Sequence, residues 1–173
     1  MEQIKIKKGT WWDEVYQMIR GKETLVKVTE KDHNLVVRSA GNLLASLLKN
    51  EPGIGGVQYH AQGEGMSGWD LSPVDEDFEQ NALTAEVYRQ APTNLEWVDE
   101  FGAVSLTPTN TLQIRTELDF PVLAAGQYIR EQGLFGGDAT GAADSGIMID
   151  VIHHTKIYKD STVKLIRYIQ LEF

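Results

Sequence analysis

The stretch IREQGLFGGDATGAADSGIMID, Ile129 to Asp150, decides how this chain is read. It opens with a short strand-like run, Ile129 to Phe135, and enters a loop of Gly, Ala, Ser and Asp. It leaves through a second apolar run that begins at Ile147. Upstream, Thr111 to Phe120 alternates without a break: Leu112, Ile114, Thr116, Leu118 and Phe120 against Thr111, Gln113, Arg115, Glu117 and Asp119. A half-buried antiparallel strand has this pattern, and a slip of one residue would exchange its faces. Downstream, Val163, Leu165, Ile169, Leu171 and Phe173 share one face with Arg167. The last third therefore reads as a small antiparallel sheet gathered around the loop. Ile147 to Ile152, apolar on both faces apart from Asp150, belongs at its centre.

Further towards the start, Asn34 to Lys49 predicts the strongest helix, with Val36, Ala40, Leu43, Leu44, Leu47 and Leu48 in one stripe. Pro52 and Gly53 stop it, and Gly41 weakens it by up to about 1 kcal/mol relative to alanine. The stripe has to be covered, most simply by one face of a sheet. Val57 to Ala61 alternates as a strand, Asp70 to Glu79 is an acidic loop, and Asn81 to Arg89 predicts a helical turn leading into a strand. Leu95 to Val98 and Ala103 to Leu106 predict a hairpin around Asp99-Glu100-Phe101-Gly102. Thr10 to Arg20 predicts a short helix, capped by Thr10 and stopped at Gly21, with Trp12, Val15, Tyr16 and Ile19 on its apolar face and Trp11 partly exposed. Thr24 to Thr29 predicts a strand and Lys31 to Asn34 a polar turn. The fold class expected is α+β: mainly antiparallel β-sheet, or sandwich, with one or two packed α-helices. Residues 1–33 form a helix–strand extension and 34–173 a helix plus β domain, together one compact unit.

At 173 residues a single domain is the default and needs neither metal nor disulfide to fold. The formal charge of −9 argues against a phosphate-backbone partner, which clustered Lys and Arg would have to hold. With no cysteine, thiolate metal sites and cysteine nucleophiles are excluded. No apolar run approaches the ~20 residues of a membrane span, and MEQIKIKKGTWW lacks the apolar core of a signal peptide. The expectation is a protein made in a cytosol, without membrane insertion.

Candidate chemistry is sparse. Gly63-Glu64-Gly65-Met66-Ser67-Gly68 matches G-x-G-x-x-G, but the acidic, turn-like Trp69-Asp70-Leu71-Ser72-Pro73 follows where a helix N-terminus should meet a pyrophosphate. His153 and His154 are neighbours, so in a strand they point apart and read as ordinary surface or edge histidines; His33 and His60 add no chelating spacing. Asp138 and Asp144 lack the alternating pattern of a calcium loop, and Asp75, Glu76, Asp77 and Glu79 read as a solvated cluster. Nothing resembles a nucleophile elbow, H-E-x-x-H or a Walker loop. The expectation is no catalytic residue, no cofactor, no metal and no nucleic-acid partner.

Ile129-Arg130-Glu131-Gln132-Gly133-Leu134-Phe135-Gly136-Gly137-Asp138-Ala139-Thr140 resembles the I-R-E-x-G-L-F-G-G-D-A-T segment of bacteriophage tail and baseplate proteins, similar to the tail-collar fibre family and its relatives in contractile injection systems. Asn34-Leu35-Val36-Val37 through Gly41-Asn42-Leu43-Leu44 looks like that group's early helix. Tyr59 to Gly65 resembles its strand ending in A-x-G-x-G, and Leu83 to Arg89 its L-x-x-E-x-x-R. Ser145-Gly146 and the closing strand also fit, so the resemblance covers about Asn34 to Phe173. Met1 to His33 is outside it, and no fibre shaft follows the closing strand.

The resemblance implies a non-enzymatic virion component in the tail: a baseplate, tail-tip or fibre-attachment subunit, homo-oligomeric and working through contacts with other virion proteins. Within that reading the loop is an assembly contact, comprising Gly136, Gly137, Asp138, Ala139, Thr140, Gly141, Asp144, Ser145 and Gly146. Small side chains let another backbone approach, the polar atoms supply hydrogen bonds, and the loop alone would be mobile. The alternatives are a head-associated decoration or connector protein, and a small carbohydrate-binding module using Trp11 or Trp69.

Overall fold

The computed structural model describes residues 8–173; Met1 to Lys7, part of the predicted extension and of the stretch read for a signal peptide, lie outside the described residues. In chain order the elements are β1 (Lys8–Ile19), β2 (Lys22–Val28), β3 (Asp32–His33), β4 (Leu35–Val36), α1 (Arg38–Leu48), β5 (Gly55–Gly63) and a short 3-10 turn, Ser67–Asp70. Then follow β6 (Glu86–Gln90), β7 (Asn94–Val98), β8 (Val104–Ser105), β9 (Thr111–Leu118), β10 (Gln127–Gly137), β11 (Ile147–Lys159) and β12 (Val163–Glu172). The strands form two antiparallel sheets. One runs β2-β1-β12-β9-β7-β8, with β3 also on β1; the other runs β4-β11-β10-β5-β6.

The two cleanest sequence patterns are strands, although β9 ends at Leu118, leaving Phe120 in the turn that follows, and β12 ends at Glu172, leaving Phe173 outside it and exposed. In β9, Ile114, Thr116 and Leu118 are fully buried. In β12, Val163, Leu165, Arg167, Ile169 and Leu171 are all buried on the face that alternation assigned them. The last third is not one sheet, however. β10 and β11 belong to the five-stranded sheet, whereas β9 and β12 pair with each other in the seven-stranded one. Trp11, Ile114 and Ile169 of the larger sheet share one apolar core with Leu134 and Ile152 of the smaller.

Thr10 to Arg20 is not a helix. β1 runs beside β12, with Lys8 to Gln17 opposite Glu172 to Val163, and helical spacing of Trp12, Val15, Tyr16 and Ile19 is incidental. Ladder pairing over that length outweighs a weak local propensity. The two tryptophans exchange roles as well: Trp11 is buried, while Trp12 is half-buried and stacks on Tyr168 at 4.8 Å. Residues 8–33 thus share a sheet with 94–118 and 163–172. The turn at Lys31 to Asn34 contains β3, which pairs with Thr10 and Trp11.

α1 begins at Arg38, not Asn34, because Leu35 and Val36 are drawn into a two-residue pairing with Val151 and Asp150. Its first turn is tied to the smaller sheet by Val37 N–H to the Ile149 carbonyl and by the Ser39 hydroxyl to the Met148 carbonyl, 2.7 Å. Ala40 and Leu43 enter the core, Leu44 and Leu47 are half-buried, and Leu48 is 74% exposed. Leu43→Ala is therefore expected to cost about 2–5 kcal/mol and Leu48→Ala less than about 0.5, read by thermal or urea melts. Equal effects would mean the stripe is oriented otherwise. The predicted helical turn at Asn81 to Arg89 is absent: irregular chain leads into β6. The β7–β8 hairpin forms as expected, Val98 opposite Val104, closed by Asp99 accepting from the Phe101 and Ala103 amides.

Candidate functional site

The opening segment forms β10, between β11 and β5 in the smaller sheet. Its two charged residues hold neighbouring segments. Glu131 is fully buried, and its carboxylate accepts the backbone N–H groups of Thr84 (2.9 Å), Ala85 (2.8 Å) and Gly65 (3.2 Å). It thereby pins both ends of the irregular segment 64–85. Arg130 holds the middle through Asp70 (2.7 Å) and the Glu64 carbonyl (3.0 Å). Under the segment lies a second apolar cluster, including Ala61, Leu83, Phe135 and Val151. Removing the carboxylate leaves three partly buried amides without their acceptor, each costing at most about 1–3 kcal/mol where water cannot reach it. Glu131→Ala is expected to release the segment locally, and hydrogen exchange at the Thr84 and Ala85 amides should accelerate well before global unfolding. Unchanged protection there would show that the segment is held by its apolar contacts instead.

The glycines have specific jobs. A side chain at Gly136 would place its Cβ 2.1 Å from the Gly56 carbonyl oxygen, so the two strands meet only because it is glycine. Gly65, at φ +59°, faces the Trp69 ring 2.7 Å from where a Cβ would sit. The G-x-G-x-x-G segment therefore makes a tight turn into a four-residue 3-10 turn, and no long helix follows it.

The structure corrects the loop in two respects. Gly136 and Gly137 are not loop but the buried end of β10. The remainder is anchored, whereas the composition predicted little attachment. Arg89 donates to the carbonyls of Thr140 (3.1 Å) and Ser145 (3.0 Å) and to the Ser145 hydroxyl, while its partner Glu86 accepts from the Asp144 amide at 3.1 Å. The Arg89–Glu86 pair is itself almost wholly shielded, and the guanidinium lies 4.6 Å over the Phe135 ring. Asp138, Thr140, Gly141 and Asp144 are exposed at the surface, and Ala139 packs under Gly146. The loop presents a fixed backbone outward.

Between the sheets runs a polar seam that the sequence did not announce. Arg167 of β12 donates to Asp13 of β1 through two bonds of 2.9 Å and to Gln62 of β5 at 2.5 Å. A second Nη2 N–H reaches Nε2 of His154 on β11 at 2.9 Å. Beside it, His60 bridges Thr116 and Gln132, 2.8 Å each. All of these except His154, at 5%, have no exposed surface. Burial, then the nearby Arg167 charge, pushes the His60 pKa down to about 3 and that of His154 well below its usual value. Asp150, fully buried and bonded to the Leu134 amide and Asn34, is pushed up to about 6 by burial.

The two adjacent histidines are thus not ordinary surface groups. They do point apart: His154 enters the seam, and His153 lies against Trp69 at 4.3 Å and donates to the Val74 carbonyl. Closed to solvent, the seam offers no route for a substrate. Asp75, Asp77 and Glu79 are exposed as read, although Glu76 accepts from the His153 amide. Among the described residues no group of three or more His, Cys, Asp or Glu could hold a metal ion, and no helix is long and apolar enough to cross a membrane. Trp11 and Trp69, the platforms of the carbohydrate reading, are both buried. The chain matches no protein-family model and no curated protein.

Proposed function

We propose that this protein is a non-enzymatic structural component of a bacteriophage tail, in the baseplate, tail tip or fibre-attachment region, working through contacts with other virion proteins. The finer fold reading that goes with it is a β-sandwich closed at one margin by α1. The observation that carries the proposal is convergence. The segments that resemble the tail family are scattered from Asn34 to Phe173, yet those up to Gly146 become β4 with the start of α1, β5, β6, β10 and the approach to β11, gathered on the smaller sheet, while the closing strand is β12 of the larger. They also bind one another: Glu131 to Gly65 and Ala85, Arg89 to Thr140 and Ser145. Residues that match a pattern by chance have no reason to meet.

In this reading the fixed loop from Asp138 to Gly146 is the assembly contact, with Gly136 and Gly137 setting its base. The protein should co-purify with assembled tails. A variant in which Gly137 to Ala143 is replaced by an Asn-Gly turn should keep the circular dichroism of the folded protein, melt lower for the loss of the Arg89–Thr140 bond, and fail to enter particles. Normal incorporation would reduce the loop to a connector, and a protein found on heads and not on tails would move it to the head-associated alternative.

A further inference from the structure

We propose that the free edge of β2 pairs with β2 of a second copy of this chain about a two-fold axis. β3, β4 and β8 are only two residues long, and every residue of β6 is half-buried. β2 differs: seven residues long, six of them exposed, with Leu25 at 45%, Val26 at 43% and Val28 at 54%. Among the described residues only β1 pairs with it. Its hairpin with β1 also overhangs, because β12 stops supporting β1 at Gln17, beyond which Met18 and Ile19 pair with β2 alone. A two-stranded ribbon is marginal in water, and an edge left open presents unpaired N–H and C=O groups to a further strand.

A second copy fits this edge in a register set by an irregularity in β2. Thr24 lies opposite Gln17 and Lys27 opposite Val15, so Thr24 and Lys27 share one face; Glu23 opposite Met18 and Val28 opposite Glu14 share the other. In an unbroken strand residues three apart face opposite ways, and here one extra residue, between Leu25 and Lys27, removes that difference. Two antiparallel copies must oppose residues of like face. A regular strand would have to pair about a residue; this one pairs about the Leu25–Val26 bond. That register sets Leu25 against the partner's Val26, Thr24 against the partner's Lys27 and Glu23 against the partner's Val28. Apolar side chains meet at the axis, and no residue directly faces a like charge. The closure is isologous, the commonest way for identical subunits to associate.

This names a surface for the self-association in the assembly reading and depends on that reading only for its biological setting. Sedimentation of the purified protein should show a dimer. L25E should weaken it about tenfold or more without lowering the melting temperature, since the residue is exposed. L25E/V26K should restore it, because each new carboxylate then faces an ammonium across the axis; pairing about Leu25 would bring like charges together and restore nothing. The chain has no cysteine, so T24C/K27C should give a covalent dimer on mild oxidation even if the charge variants fold poorly. A monomeric wild type, a dimer indifferent to L25E, or absence of the cross-link overturns the proposal. A monomer found bound to tails would sink this interface and leave the tail assignment standing.

Discussion

Arg167→Met is expected to remove about 3–5 kcal/mol of unfolding free energy, the cost of leaving a buried charge without its partner. Asp13 would remain between the sheets, fully enclosed and missing both of its 2.9 Å bonds. Gln62 and His154 would lose their donor at the same time. Because the cost comes from the stranded carboxylate and not from the loss of a net attraction, removing both partners should be milder: D13L/R167M is expected to regain most of the stability. Urea denaturation at neutral pH measures all three proteins. If the single variant lost under about 1 kcal/mol, water would have to reach Asp13, and the seam would not be sealed.

Acidification should produce the second large effect. The carbonyl of Thr155, 2.7 Å away, can only accept, so Nδ1 of His154 carries the proton and Nε2 receives the Arg167 N–H. A second proton on that ring would face a guanidinium. For His60 the folded pKa is about 3, below the ordinary 6.5, so between those values the unfolded chain binds more protons. The stabilisation is complete above about pH 6.5 and drains away as pH falls towards 3. At somewhat over 1 kcal/mol per pH unit, His60 alone withdraws roughly 3 kcal/mol by pH 4.5. His154 acts in the same direction.

Asp150 opposes them. Its folded pKa of about 6 lies above the ordinary 3.8, so the native state binds more protons between the two, and its contribution improves as pH falls from 6 to 3.8. That returns roughly 2 kcal/mol by pH 4.5, leaving the two histidines ahead. A net loss of stability between pH 7 and 4.5 is expected from urea midpoints, with His60 and Asp150 nearly offsetting each other and His154 adding to the loss, and H60Q should show a visibly smaller loss. A flat profile for the parent protein would mean that the rings are not held neutral.

What could be read from the residues was the period of β9 and β12, including the place of Arg167 among apolar neighbours. What could not be read was its partner. Asp13 lies 154 positions away, inside a segment whose aromatic and aliphatic residues also fit a helical face. A charge on the buried side of β1 breaks the alternation that would have identified the strand, and only the guanidinium across the pair makes it tolerable. His60 and Gln62 look like the polar half of an ordinary edge strand until a second sheet covers them. The glycine loop was legible as a loop, and its anchoring was not, because Arg89 and Glu86 sit in a segment whose local pattern suggested helix. His153 and His154 were rightly separated to opposite faces, but neither face proved to be open surface.

The pairing of β1 with β12 also determines when this fold can be completed. The first described strand has its longest partner in the last, so β1 stays one-sided until residues 163–172 have been synthesised. Closing a loop of that length is slow even when the final contact is strong. During that wait Trp11 and Asp13 are both without cover, one an apolar hazard and the other a carboxylate still at ease in water. Refolding should therefore show the smaller sheet, whose β10 and β11 are joined by a short loop, gaining protection before the larger one. The slowest step would be the arrival of Arg167, which seats the ion pair and shuts out solvent together.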